Sequence, residues 1–151
     1  MQISIIAVGR LKDGPEKALC DRYLGRMRSA VTIREVEERR KLSGDALKQR
    51  EAALILDACP PGARIIALDE GGREATSRDL ADRISMAQQD GTDLAFAIGG
   101  ADGLSKEVLD RAALRLSFGR MTWPHMMVRA MLLEQLYRAQ QILAGHPYHR
   151  D

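Results

Sequence analysis

Leu94-Ala95-Phe96-Ala97-Ile98-Gly99-Gly100-Ala101-Asp102-Gly103-Leu104-Ser105 is the stretch that decides the architecture of this chain. Five apolar residues read as a buried strand, a glycine-rich segment follows, and Ser105 opens a helical pattern that runs through Ala113. Glu107 sits in the first turn of that pattern, where the helix dipole favours an acid. Working outward, the same alternation recurs in both directions. Upstream, Ile3–Val8 is a continuous apolar strand, and Pro15 starts a helix with Leu19, Cys20, Tyr23, Leu24 and Met27 on one face. Val31–Val36 is a β-branched strand, and Ser43 caps a helix that Pro60-Pro61-Gly62 ends after Ala58. Arg64–Leu68 is a third strand, Glu70-Gly71-Gly72-Arg73 a turn, and Ser77 the cap of a helix with Leu80, Ile84 and Ala87 inward, stopped at Gly91. Downstream, Leu114–Phe118 is the last strand and Pro124 starts a long helix ending near Gly145. This pattern predicts an α/β fold: a mostly parallel sheet flanked by helices.

The 151 residues predict a single domain, residues 1–151, large enough to bury a core without staples. Hydrophobic residues make up 45% and charged residues 29%, as in ordinary globular chains, so a disordered or fibrous class is excluded. A net charge of +2 permits a nucleic-acid partner without requiring one. Cys20 and Cys59 stand alone, which argues against a disulfide framework or a zinc site. The apolar start lacks a preceding basic segment and no apolar run approaches a membrane span, so a soluble cytoplasmic protein is expected. Glu37–Lys41, a mixed-charge run, reads as a solvated loop.

Ligands of parallel sheets bind beyond the carboxyl ends of the strands. Three strand ends therefore matter: Leu68-Asp69, Ile98-Gly99-Gly100 and Phe118-Gly119-Arg120. The glycines at 99, 100 and 103 either form a tight strand-to-helix turn or, lacking Cβ atoms, let a ligand reach the backbone. Gly-x-Gly-x-x-Gly is absent after the first strand, where Gly9-Arg10-Leu11-Lys12 stands, and no Gly-Lys-Ser/Thr sequence occurs. Dinucleotide binding and phosphoryl transfer are thereby disfavoured. Gly119–Trp123 is either a plain connector or a second ligand loop, with Met121 and Trp123 as apolar walls for a purine.

The Pro124–Leu143 helix is apolar around most of its girth, which fits a central core helix or, as favoured here, a homodimer interface. Its first turns carry His125 and Arg129, one turn apart and able to face one site. Beyond it, His146-Pro147-Tyr148-His149-Arg150 is either a frayed end or a cluster offering acid–base, stacking and phosphate-binding groups. With only three histidines in the chain, a metal site is not expected.

Several of these segments together resemble a known family, the trefoil-knotted SPOUT methyltransferases. Within them the chain is similar to the small bacterial enzymes that methylate N3 of a pseudouridine in 23S rRNA. The resemblance spans essentially the whole chain, from Ile5-Ile6-Ala7-Val8-Gly9 to Asp151. It is carried by Ile98-Gly99-Gly100-x-x-Gly103-Leu104-Ser105, Met121-Thr122-x-Pro124-His125-x-x-x-Arg129, Glu134-Gln135-Leu136-Tyr137-Arg138-Ala139 and Pro147-Tyr148-His149. It implies a C-terminal trefoil knot and S-adenosyl-L-methionine held by Leu68, Gly100, Gly119, Arg120, Met121, Thr122, Trp123 and Pro124. It also implies a target in helix 69 of 23S rRNA in the assembled ribosome, and a homodimer whose site is completed by the partner's C-terminal tail. On this basis Tyr148 and His149 are expected to act as base or orienting groups. Arg129 and Arg150, with His125 nearby, are expected to hold rRNA phosphate or stabilise the charge that develops on the base. The competing readings are a ribosome-associated binding protein without catalysis and a nucleotide-binding Rossmann-type enzyme.

Overall fold

The computed structural model describes residues 1–151. Five strands, β1 (Ile3–Val8), β2 (Val31–Val36), β3 (Arg64–Glu74), β4 (Leu94–Ile98) and β5 (Leu114–Ser117), form one sheet in the order β2-β1-β4-β3-β5. Every neighbouring pair is parallel. β1 and β4 are buried along their whole length, which is why they read as unbroken apolar runs rather than as alternating ones.

The side chains of these strands alternate between two layers of helices. Ile3, Ile5, Ala7, Leu94, Phe96 and Ile98 pack with α1 (Pro15–Arg26), α3 (Ser77–Asp90) and α5 (His125–Leu143). Ile6, Val8, Ile65, Ala67 and Ala97 pack with α2 (Gly44–Ala58) and α4 (Lys106–Arg111). Both faces of the sheet are thus covered, as the alternation of strands and helices predicts.

Four details differ from the sequence reading. β3 does not stop at Leu68, and Glu70–Arg73 is no simple turn. Leu68 and Arg73 both pair with Leu116, so the strand bulges between them and resumes. Gly72 makes this possible, since a Cβ there would lie 2.6 Å from the Arg115 carbonyl oxygen. The cap of α3 is Thr76, not Ser77. Its hydroxyl accepts from the Asp79 amide (3.0 Å), and the Asp79 carboxylate accepts from the Thr76 amide (2.8 Å), a reciprocal capping box. The Glu37–Lys41 run before α2 is exposed except at Glu38, whose carboxylate accepts from the side chains of Arg40 and Arg50. Those bonds, led by Arg50, hold its pKa down to about 2.

The fourth difference concerns α5. It lies between α1 and α3 on one face of the sheet, and Ala130, Leu132, Leu133, Leu136 and Ala139 are buried within the single chain. Two flanking helices and the sheet cover its apolar girth, so the breadth of its apolar surface is no argument for a subunit interface. Only Met127 and Leu143 among its large apolar residues remain exposed.

Replacing Gly72 by Ala should therefore cost about 1–3 kcal/mol, the range for forcing atoms into a filled space. Chemical denaturation of the two proteins measures it; unchanged stability would mean that the bulge does not depend on the missing side chain.

Candidate active site

Because β4, β3 and β5 are adjacent and parallel, their carboxyl ends meet at one edge of the sheet. A cleft of about 340 Å³ opens there. Its walls are Leu68–Glu70 where β3 begins its bulge, Ile98–Leu104 at and after the end of β4, Phe118, Gly119 and Met121–Trp123 after β5, and His125 and Val128 on α5, with Lys48 entering from α2. Of the residues expected to hold the cofactor, Leu68, Gly100, Gly119, Met121, Thr122 and Trp123 line this cleft. Arg120 and Pro124 belong to the same loop, both exposed, but are not among its walls.

The loops are tied to one another by specific bonds. Thr122 Oγ1 donates to the Glu70 carboxylate at 3.0 Å, joining the β5 loop to the β3 loop. The Ser117 hydroxyl lies 3.1 Å from the Glu70 carbonyl and accepts the Gly119 amide at 3.1 Å. After β4, the Gly103 amide closes a turn on the Gly100 carbonyl at 3.0 Å, with Gly103 at φ +79°. A Cβ on Gly99 would meet the Gly103 carbonyl carbon at 2.7 Å, and one on Gly100 the Glu51 carboxylate at 3.1 Å. These two glycines serve the turn and its packing on α2; their missing side chains are not openings for a ligand. Gly119 is different, with φ +111° and nothing within 4 Å of where its Cβ would be.

The cleft is predominantly acidic. Asp69, Glu70 and Asp102 line it against the single ammonium of Lys48. Behind Gly100, the carboxyl of Glu51 is 8% exposed; burial pushes its pKa up, and Asp102 adds to the rise. This balance suits a ligand with positive charge. The sequence reading missed Lys48 and Glu51. Their signal was there: 48, 51, 52 and 55 recur at the helical period, and Ala52 and Ile55 are core residues of α2.

His125 and Arg129, one turn apart, do not share a task. His125 lines the cleft, and its Nδ1 is buried without a partner. Arg129 is 2% exposed, outside the cleft. Its guanidinium donates to the Glu35 carboxylate and, at 3.2 Å, to the Gly9 carbonyl, while the Leu11 amide donates to the same carboxylate at 2.7 Å. A guanidinium so enclosed is not available to an rRNA phosphate, contrary to the expectation from the sequence. It instead fastens the Gly9–Leu11 segment and β2 to the first turns of α5. Gly9 also abuts His125, whose Cε1 would lie 3.5 Å from a Cβ at position 9.

The tail has a definite place, though not in the cleft. The Tyr148 ring packs edge-on against Tyr137 at 4.8 Å, and its hydroxyl donates to Glu134 at 3.1 Å. Arg138 also holds Glu134, sits over the Tyr148 ring and lies 3.2 Å from His149 Nδ1. His149 Nε2 approaches Asp151 at 3.0 Å, and Arg78 grips Asp151 with two bonds of 2.7 Å. Tyr148 and His149 are half-buried, whereas His146, Pro147, Arg150 and Asp151 are exposed to solvent. Burial first, then the bond to Glu134, push the Tyr148 phenol up to about 12. It keeps its proton at neutral pH and serves as a donor, not as a base. No group of three His, Cys, Asp or Glu side chains is arranged to hold a metal, and no helix is long and apolar enough to cross a membrane.

A family model described as "Predicted SPOUT methyltransferase" matches residues 1–149. The chain belongs to the SPOUT methyltransferases. A "Ribosomal RNA large subunit methyltransferase H" from Rhodospirillum centenum is 54% identical over 151 residues, covering 99% of each chain. The protein of the same name from Rhodospirillum rubrum is 50% identical over the full length of both. A probable methylase family protein from Haemophilus influenzae Rd KW20 shares the fold at a TM-score of 0.60 with 14% identity, across 99% of this chain and 70% of that one. This SPOUT methyltransferase therefore has relatives that match it end to end, and the five-stranded parallel sheet with its helices is the family's α/β architecture.

Removing the partner of a buried guanidinium typically costs about 3–5 kcal/mol, less where water reaches the site. Glu35 is 39% exposed, so Glu35→Ala should cost roughly 2 kcal/mol at neutral pH. Burial opposes ionisation of Glu35, but the bonds from Leu11 and Arg129 outweigh it and lower its pKa. The stability it gives is present above its ordinary value and lost as pH falls through the depressed one. The gap between wild type and variant should accordingly narrow on acidification; a gap independent of pH would show that the ion pair is not its origin.

Proposed function

We propose that this chain, as a single domain over residues 1–151, transfers a methyl group from S-adenosylmethionine to N3 of a pseudouridine in helix 69 of 23S rRNA. It acts on assembled ribosomes in the cytoplasm, as a homodimer in which the partner's tail completes the site. Membership of a methyltransferase family, and full-length relatives named as large-subunit rRNA methyltransferases, support the reaction class and the RNA. The observation that carries the cofactor assignment is the convergence of three strand ends on one acidic cleft.

The cleft fits that cofactor in size and charge. Its volume of about 340 Å³ falls within the usual range for small-molecule sites. Met121 and Trp123 offer apolar walls for adenine, and Asp69, Glu70 and Asp102 complement a sulfonium and an ammonium. When bound, S-adenosylmethionine supplies an electrophilic methyl carbon. The protein's own work is to align that carbon with N3, which alone can account for up to about 7–11 kcal/mol of barrier lowering. Transfer would break the methyl–sulfur bond, leave S-adenosylhomocysteine and release the N3 proton to solvent, so groups that orient the imide and disperse its charge help. Tyr148, protonated, and His149 fill orienting roles, and Arg150 is free to meet phosphate. Each protomer's own tail lies outside its cofactor cleft, which is compatible with delivery to a partner. A non-catalytic ribosome-binding protein would need no such cleft, and the enzymatic reading is preferred for that reason.

Mass-spectrometric mapping of 23S rRNA from cells with and without this protein tests the proposal. One pseudouridine should lose a methyl group when the protein is absent and regain it on complementation. A chain lacking Tyr148–Asp151 should bind S-adenosylmethionine nearly as wild type yet restore no methylation; full restoration would remove the tail from the reaction, and an unchanged rRNA modification pattern would overturn the assignment.

A further inference from the structure

A second and larger cleft, about 530 Å³, lies on the other side of the β5–α5 connection. It shares Leu116, Phe118 and Gly119 with the cofactor cleft and is otherwise built from Glu74 and Ala75 at the end of β3, Ser117 of β5, the start of α3 and the middle of α5, with Glu74 and Glu134 as its carboxylates. Of its lining, only Gly119 belongs to the cofactor assignment. We propose that this cleft receives the target base, a uracil-type ring taken out of its stack, and that Gly119 is the gap through which the methyl group is delivered. The inference rests on the functional reading above and adds the place and the recognition chemistry of its acceptor.

Three observations support it. An acceptor nitrogen must come within about 3–3.5 Å of the methyl carbon, so its pocket must share a wall with the donor's pocket. That shared wall contains a residue without a side chain, at φ +111°, with empty space on its Cβ side. The lining also has the chemistry of an imide reader. Leu80, Met131 and Phe118 supply apolar surface for the flat faces of a ring. Gln135 supplies the polar edge: its Oε1 accepts the Ser77 hydroxyl at 2.6 Å, which fixes the amide and leaves Nε2 as a donor with no protein acceptor. N3 of a uracil-type base is flanked by two carbonyl acceptors, and such a donor recognises one of them. Enzymes acting on a base within a structured nucleic acid extrude it into a pocket of this kind.

The test uses the full-length protein with two substitutions made separately, Met131→Trp to fill the cleft and Gln135→Leu to remove the donor at similar volume. Calorimetry follows S-adenosylmethionine binding, radiolabelled methyl transfer to ribosomes gives kcat and KM, and sedimentation with thermal unfolding follows assembly and folding. Both variants should bind S-adenosylmethionine as wild type does and sediment as wild type does. Their kcat/KM for ribosomes should fall on the order of tenfold or more. If Met131→Trp fails to fold, Gln135→Leu decides the question. Unchanged transfer overturns the cleft assignment. So does a parallel loss of S-adenosylmethionine binding, which would give the cleft to the donor, or a change of sedimentation, which would make it a subunit contact. Absence of transfer by the wild type overturns the functional reading and the cleft with it; equal transfer by wild type and variants overturns the cleft alone.

Discussion

Burial of β1 and β4 on both faces is the constraint on which the rest of the molecule depends. Strands with no solvent face must be paired on both edges and roofed by helices on both sides, and connections that return along helices make the strands parallel. Parallel strands deliver all their carboxyl ends to one edge. With β4, β3 and β5 side by side, the loops after Leu68, Ile98 and Ser117 have no choice but to meet. The cleft is a consequence of the sheet order, and the bonds from Thr122 and Ser117 to Glu70 then fix the loops to each other.

The same economy appears at the start of α5. The loop after β5 must end in a helix whose first turns are held still, since Met121–Trp123 form one wall of the cleft. The Arg129–Glu35 pair does this from below, tying α5 to β2 and to the segment after β1. A buried ion pair is a weak source of net stability and can serve registry instead; the two terminal nitrogens of Arg129 are both bonded, while its buried Nε has no partner. Here one oxygen of Glu35 also takes the Leu11 amide, so three separate segments share one junction.

Much of this was legible in the chain itself. The bounds of β1 and β4 follow directly from apolar runs, because both strands are buried along their whole length, and those of β2 from its β-branched Val31, Thr32, Ile33 and Val36, although this edge strand is only partly buried. The three segments that line the cleft, after Leu68, Ile98 and Ser117, were legible as ends of apolar runs, although β3 itself continues beyond its bulge to Glu74. The bulge in β3 was not, because Glu70-Gly71-Gly72-Arg73 has the composition of a turn, and only pairing with the distant Leu116 makes it strand. Thr76 and Ser77 are both good caps, and the choice falls to Thr76 because Asp79 stands three residues later while Ser77 is taken by Gln135. Helical spacing put His125 and Arg129 on one face but could not say that β2 and the segment after β1 would bury one of them. Nor could it foresee α1 and α3 closing around α5. The proposed target base and the knot are implied by the family resemblance alone; neither strand order nor composition contains them.

Trp123 is the only tryptophan in the chain and stands in the wall of the cleft. Its fluorescence is therefore the most direct reporter of the central claim, that the three strand ends enclose the methyl donor. Titration with S-adenosylmethionine should produce a saturable change in emission, reversed in competition by S-adenosylhomocysteine. Emission that stays constant while calorimetry records stoichiometric binding would place the cofactor elsewhere and contradict the account.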